Sequence, residues 1–92
     1  MTYRNKKLTQ SARNESCVSC GADDGSVVWA HSNEQRHGKG MGIKAHDLFG
    51  AYLCHKCHDI YDKEGGNRKS REQMFFECWE KSMIIACEKG YL

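Results

Sequence analysis

Proline is absent from the 92 residues, and apolar side chains never run unbroken for long. Without proline, no helix is interrupted by it and no polyproline linker divides the chain. No apolar stretch approaches the roughly 18 residues that a membrane-spanning helix needs, so no membrane partner is expected. The start, Met-Thr-Tyr-Arg-Asn-Lys-Lys, is basic but has no apolar segment behind it and does not read as a secretory signal. A cytoplasmic location is therefore the expectation, in a reducing compartment where paired cysteines favour metal over disulfide. Acidic residues are missing altogether from positions 1–14, which carry Arg4, Lys6, Lys7 and Arg13. There is no internal repeat. What is present, 39% apolar and 28% charged, fits one small globular domain over 1–92. A chain this short buries a modest core and commonly needs a staple.

The cysteines supply one. Cys17-x-x-Cys20 is followed directly by Gly21, and Cys54-x-x-Cys57 directly by His58, with 33 residues between the two pairs. Each pair makes a tight turn with both sulfurs pointing one way, so two pairs close a tetrahedron around one structural Zn²⁺. Gly21 gives the first turn its backbone freedom. Four thiolates around Zn²⁺ carry a net −2, which cancels the formal +2 of the chain. Attraction to nucleic acid must then come from where the charges lie. They cluster at the N-terminus, around Arg36, Lys39 and Lys44 with His37 and His46, and at Arg68, Lys69 and Arg71. Each cluster alone is compatible with ordinary solvated side chains; three around one metal site point to a phosphate-binding face.

In chain order, residues 5–13 are predicted to form a short helix, with Leu8 and Ala12 on one face, or to remain a basic arm over 1–14. Asp23-Asp24-Gly25 reads as a turn, and Ser26–His31, rich in β-branched and aromatic residues, as a strand. From Ser32 to Asp47 there is almost nothing apolar beyond Met41 and Ile43, and a loop this long in so small a domain is expected to be functional. Leu48–Leu53 is predicted as the returning strand of a hairpin, and 55–64 as a helix ended by Gly65-Gly66. In the closing helix, over 70–90, Ser70 and Gln73 fit a capping box, and Phe75, Cys78, Trp79, Ser82, Met83 and Ala86 recur at helical spacing. Trp29, Trp79, Phe75 and Phe76 read as core, and Cys78 and Cys87 as small apolar residues. The expected architecture is α+β: a zinc-stapled ββα core over 15–66, treble-clef-like, with flanking helices.

Ala30-His31, then Gly40-x-Gly42-x-Lys44-x-x-Asp47, then Cys54-x-x-Cys57-His58-Asp59-x-x-Asp62 form an ordered set, opened by Leu8-x-x-x-Ala12-Arg13-x-x-x-Cys17. The set covers residues 8–62 and resembles a family of small phage and prophage proteins classed as nucleases of the HNH (ββα-metal, His-Me finger) type. That resemblance implies that His31 is the general base for phosphodiester hydrolysis and that His58, on the helix, binds a catalytic divalent cation. It implies DNA as substrate and the cytoplasm of a bacterial host as location. A chain this small has a limited footprint, so a homodimer or a phage or host recombination or replication complex is the expected setting. Many such enzymes carry a further metal ligand immediately before the base; here that position is Ala30.

The residue chemistry is compatible with these roles. Hydrolysis of a phosphodiester needs a base of near-neutral pKa, a cation at the leaving oxygen and contacts that hold the phosphate. His31 suits the first; His58 and Asp62, one helical turn apart, suit Mg²⁺ or Mn²⁺. The plainer alternatives stay open: His31 as a structural histidine, His58 as a zinc ligand or its orienter, Asp62 as a surface acid. Asp47 either hydrogen-bonds backbone N–H groups to fix the loop, the favoured reading, or orients His31. Lys44, Lys39, Arg36 and Arg13 are candidate phosphate contacts, and Gly40 and Gly42 allow a sharp loop path beside the site. The expected activity is metal-dependent cleavage of DNA. The rivals are a zinc-stabilised nucleic-acid-binding module without cleavage, which Ala30 favours, and a protein-interaction domain.

Overall fold

A computed structural model describes residues 3–63 and 68–92. Asn5 caps the first helix, α1 (Lys6–Ser11), its side chain accepting the Leu8 N–H at 3.1 Å. A 3-10 turn over Ala12–Asn14 follows. Leu8 and Ala12 are fully buried, so the segment docks on the domain as a helix and is not a free arm. This is how so short a helix survives, since six residues are not stable alone.

Strands β1 (Val28–His31) and β2 (Gly50–Leu53) pair antiparallel, with His31 opposite Gly50 and Trp29 opposite Tyr52. Both are shorter than predicted. Ser26 is held by the Asp24 carboxylate, and the Phe49 N–H turns back to the His46 carbonyl, so beyond Gly50 the only cross-strand bond is the Ser32 N–H to the Phe49 carbonyl at 2.8 Å among the described residues. Every residue of β2 is buried. The outward backbone groups of Tyr52 need partners there. Its N–H donates to the Ser82 hydroxyl at 3.0 Å, and its carbonyl accepts the Val18 N–H at 3.0 Å. A buried serine on the last helix thereby closes one side of a two-stranded sheet.

Helix α2 (His55–Lys63) starts at the second cysteine pair, and α3 (Arg68–Glu88) packs across β2. The predicted stop at Gly65-Gly66 lies outside the described residues. Ser70 falls inside α3, so the predicted capping box does not form the helix start. The buried face of α3 is Phe75, Cys78, Ser82 and Ala86, with Trp79 and Met83 partly covered. Phe76, expected in the core, is half exposed, and Cys87 is exposed. Phe76 sits about 100° round the helix from Phe75, off the side that meets the sheet.

Tyr61 stacks on Phe75 at 4.5 Å, joining α2 to α3, and Trp29 meets Tyr52 edge-on at 4.9 Å beneath the sheet. A Cβ on Gly50 would collide with the Trp29 ring. That close approach lets the Trp29 indole N–H reach the Asp47 carbonyl at 2.9 Å, fixing the loop end where Asp47 turns toward His31. The result is a small α+β fold of two strands and three helices among the described residues. No helix is long and apolar enough to cross a membrane among those residues.

Candidate metal centre and catalytic cleft

The Cys17 N–H bonds the Ala22 carbonyl and the Gly21 N–H the Cys17 carbonyl, both at 2.9 Å, folding the first cysteine pair into a knuckle. Gly21 adopts φ +81°, as such a turn requires. The second pair straddles the start of α2. The four sulfurs of Cys17, Cys20, Cys54 and Cys57 lie within 4.8 Å of one another, and all four cysteines are free thiols. The Cys20–Cys54 separation of 3.6 Å is far beyond a disulfide and close to the ~3.8 Å edge of a tetrahedron with Zn–S bonds of about 2.3 Å. The donor set therefore fits one structural metal such as zinc.

Burial opposes ionisation of Cys17, but the N–H groups of Cys20, Cys54 and Ser19 outweigh it and hold the thiol down at about 6. Burial and neighbouring sulfurs push Cys57 up to about 12. Against the Ala22 N–H, neighbouring sulfurs raise Cys20 as well, so the quartet becomes four thiolates only when a cation enters.

His58 is not part of the quartet. Its Nε2 lies 3.1 Å from Oδ2 of Asp62, one turn on, and both side chains are about one-third exposed. Oδ1 of Asp62 accepts the Asn33 side-chain N–H at 3.0 Å, and the Asn33 backbone N–H bonds the Tyr61 hydroxyl. Asn33, two residues beyond β1, thus locks the strand end to α2. It carries no signal in sequence spacing, because its partner is 29 residues away.

His31, His58, Asp47 and Asp62 line one cleft of about 740 Å³ at the junction of β1 and α2. Lys39 and Lys44 line it from the loop, Arg4 and Lys6 from the N-terminal segment. Asp47 is buried and receives three donors. Its Oδ1 lies 2.7 Å from Nε2 of His31 and accepts Arg4 Nη1 at 3.1 Å; its Oδ2 accepts the Asn5 backbone N–H at 2.6 Å. Burial works against its charge, yet the bonds from His31 and Asn5 and the Arg4 guanidinium hold its carboxyl below the ordinary range. An ionised Asp47 only accepts, so the Nε2 of His31 donates. Because a carboxylate has two oxygens, Asp47 contacts both kinds of partner considered for it: the His31 ring, and a backbone N–H, that of Asn5 in the N-terminal segment.

Arg4 also donates to the Ala45 and Lys44 carbonyls, at 2.6 and 2.9 Å, cross-linking the N-terminal segment to the loop. The sequence marked it only as one of several N-terminal cations. Not every candidate reaches the cleft. Arg36 pairs with Glu34 at 2.7 Å and lies beside Phe49, Phe76 and Trp79. Arg13, in the 3-10 turn after α1, is exposed and lies outside the cleft lining. Gly40 and Gly42 belong to a tight turn bridged from Gly40 to Ile43. Ala30 is buried, so its side chain offers nothing to the cleft.

The other histidines have partners. His46 Nδ1 accepts the Tyr3 N–H at 2.7 Å, and His37 Nδ1 meets the Ser32 hydroxyl at 2.6 Å. His55 lies 3.6 Å from Asp59.

Among protein families, one described as "Protein of unknown function (DUF968)" matches residues 1–86. No curated protein and no solved structure matches the chain.

Proposed function

The chain belongs to the DUF968 family, and we propose that it is a zinc-stapled endonuclease of the HNH type that hydrolyses phosphodiester bonds in DNA with a divalent cation. One observation carries the reading. A single cleft joins an aspartate-bound histidine, a histidine–carboxylate pair on a helix and the lysines of a loop, apart from the cysteine quartet.

The chemistry follows from the contacts. Asp47 accepts from Nε2 of His31, which leaves Nδ1 as the lone-pair nitrogen of the ring. That nitrogen takes a proton from water as the water oxygen bonds to phosphorus and the opposite P–O bond breaks. His58 and Asp62 would hold the cation, their imidazole nitrogen and carboxylate oxygen lying 3.1 Å apart as a donor pair suited to Mg²⁺ or Mn²⁺. Asn33 orients the Asp62 carboxylate from behind, as outer partners of metal ligands do. A divalent cation held there would supply positive charge at the leaving oxygen. Lys39 and Lys44 hold the phosphate.

The second reading is a module that grips DNA through the same cleft without cutting it. Buried Ala30 favours it, since the position before the base contributes no metal ligand. Incubating supercoiled plasmid with the zinc-loaded protein and added Mg²⁺ or Mn²⁺ separates the two. Cation-dependent nicking, lost in His58→Ala with zinc retained, is the expected result. Salt-sensitive binding with no nicking under either cation transfers the function to the second reading.

A further inference from the structure

The loop between the strands carries a feature that hydrolysis does not use. Gly40 and Ile43 exchange two backbone hydrogen bonds, both 3.0 Å, closing a four-residue turn. Gly42 sits at φ +70°, the value a type II turn requires at its third residue and one that side chains resist. Met41 occupies the apex and is wholly exposed, while Ile43 is 51% exposed. Two apolar side chains are therefore held out in water on a hydrogen-bonded, glycine-set turn. Their surroundings are cationic. Residues 35–46 contain Arg36, Lys39 and Lys44 and no carboxylate. Lys39 and Lys44, immediately either side of the turn, face the cleft of His31 and His58.

We propose that the Gly40–Ile43 turn is an apolar wedge that enters duplex DNA beside the cleft and prises apart one base step. This rests on the cleft being a DNA site. The flanking lysines select a polyanion over an apolar protein groove. Lys39 and Lys44 grip the phosphates on either side of the turn, so its apex meets the bases between them. Apolar side chains of this kind, methionine and isoleucine among them, unstack neighbouring base pairs and kink the duplex. Methionine is unbranched and adaptable, which suits a side chain that must fit between different bases. The wedge also defines the substrate. It is duplex DNA chosen by how readily a step opens, with flexible pyrimidine–purine steps such as TA and CA preferred over stiff A-tracts.

The test uses a short duplex with 2-aminopurine at a central TA step, mixed with zinc-loaded protein without added divalent cation so that no strand is cut. Wild type should raise the emission severalfold as the analogue unstacks. Met41→Ala/Ile43→Ala should abolish the rise while binding within about threefold of wild type, because phosphate contacts supply most of the affinity. Met41→Phe with Ile43 kept should restore the rise. The three proteins share one zinc content and melting temperature if the turn is only a surface device.

Wild type that binds the duplex with no rise, or a double-alanine variant that raises it equally, overturns the wedge even if plasmid nicking is observed. Unstacking without nicking keeps the wedge and removes the catalytic reading. Absence of duplex binding overturns both.

Discussion

Replacing Asp47 tests the join between the N-terminal segment, the loop and His31. In Asp47→Ala the Asn5 N–H and the His31 ring each lose an acceptor in a partly buried setting. Each such loss costs about 1–3 kcal/mol. Arg4 is 44% exposed and can turn to water, so its share is small. The expected destabilisation is about 2–6 kcal/mol for alanine. Asparagine keeps one acceptor oxygen, which serves Asn5 or His31 but not both, and should cost about half as much. The carboxyl is held below its ordinary value in the folded protein. Its stabilisation is thus present above the unfolded pKa of about 3.9 and is lost as pH falls through the lower folded value. Denaturant unfolding at pH 7 and through the acid range reads both effects. Wild type should lose stability on acidification more steeply than Asp47→Asn. Equal midpoints for the three proteins at pH 7, with parallel acid profiles, would refute the arrangement.

The folded protein should carry about one zinc per chain on four thiolates, and Cys54→Ser should leave it unfolded by circular dichroism. Well-folded protein without zinc by elemental analysis, or a disulfide within either cysteine pair, contradicts this. Gly50→Ala should cost about 1–3 kcal/mol in chemical denaturation because its Cβ drives into the Trp29 ring; an unchanged midpoint would show that the indole moves freely. Neutralising Lys39 and Lys44 together should lower the salt slope of DNA binding by about 1.8, while Arg13→Gln leaves it unchanged. The reverse pattern would move the binding face off the cleft.

The cysteine quartet was legible because each pair is a local turn whose spacing alone sets two sulfurs side by side. The buried face of α3 was legible for a similar reason, since Phe75, Cys78, Ser82 and Ala86 repeat at one helical period. The limits of that helix were not. Ser70 and Gln73 imitate a start signal, but the chain is already helical at Arg68. Phe76 reads as core by type alone. Yet α3 has one sheet to pack against, and a residue off that face stays half exposed.

The cleft was legible in part. His31, Lys44, Asp47, His58 and Asp62 were marked by motif and Lys39 by charge, and the structure gathers all six in one cavity. Arg4 and Asn33 were not marked as site residues, because their contacts span 43 and 29 residues and leave no periodic trace. Arg36 was marked by charge, but a glutamate two residues earlier claims it. Charge clusters in sequence do not reveal which cations are already paired.

The account turns on His31 as the base in that cleft. Single-turnover cleavage of a plasmid by wild type and His31→Ala, with DNA affinity and zinc content measured on the same samples, tests it most directly. Removing a group used only in the transition state should abolish cleavage while affinity stays within about threefold and zinc stays near one per chain. His31→Ala protein that cuts at the wild-type rate would contradict the account.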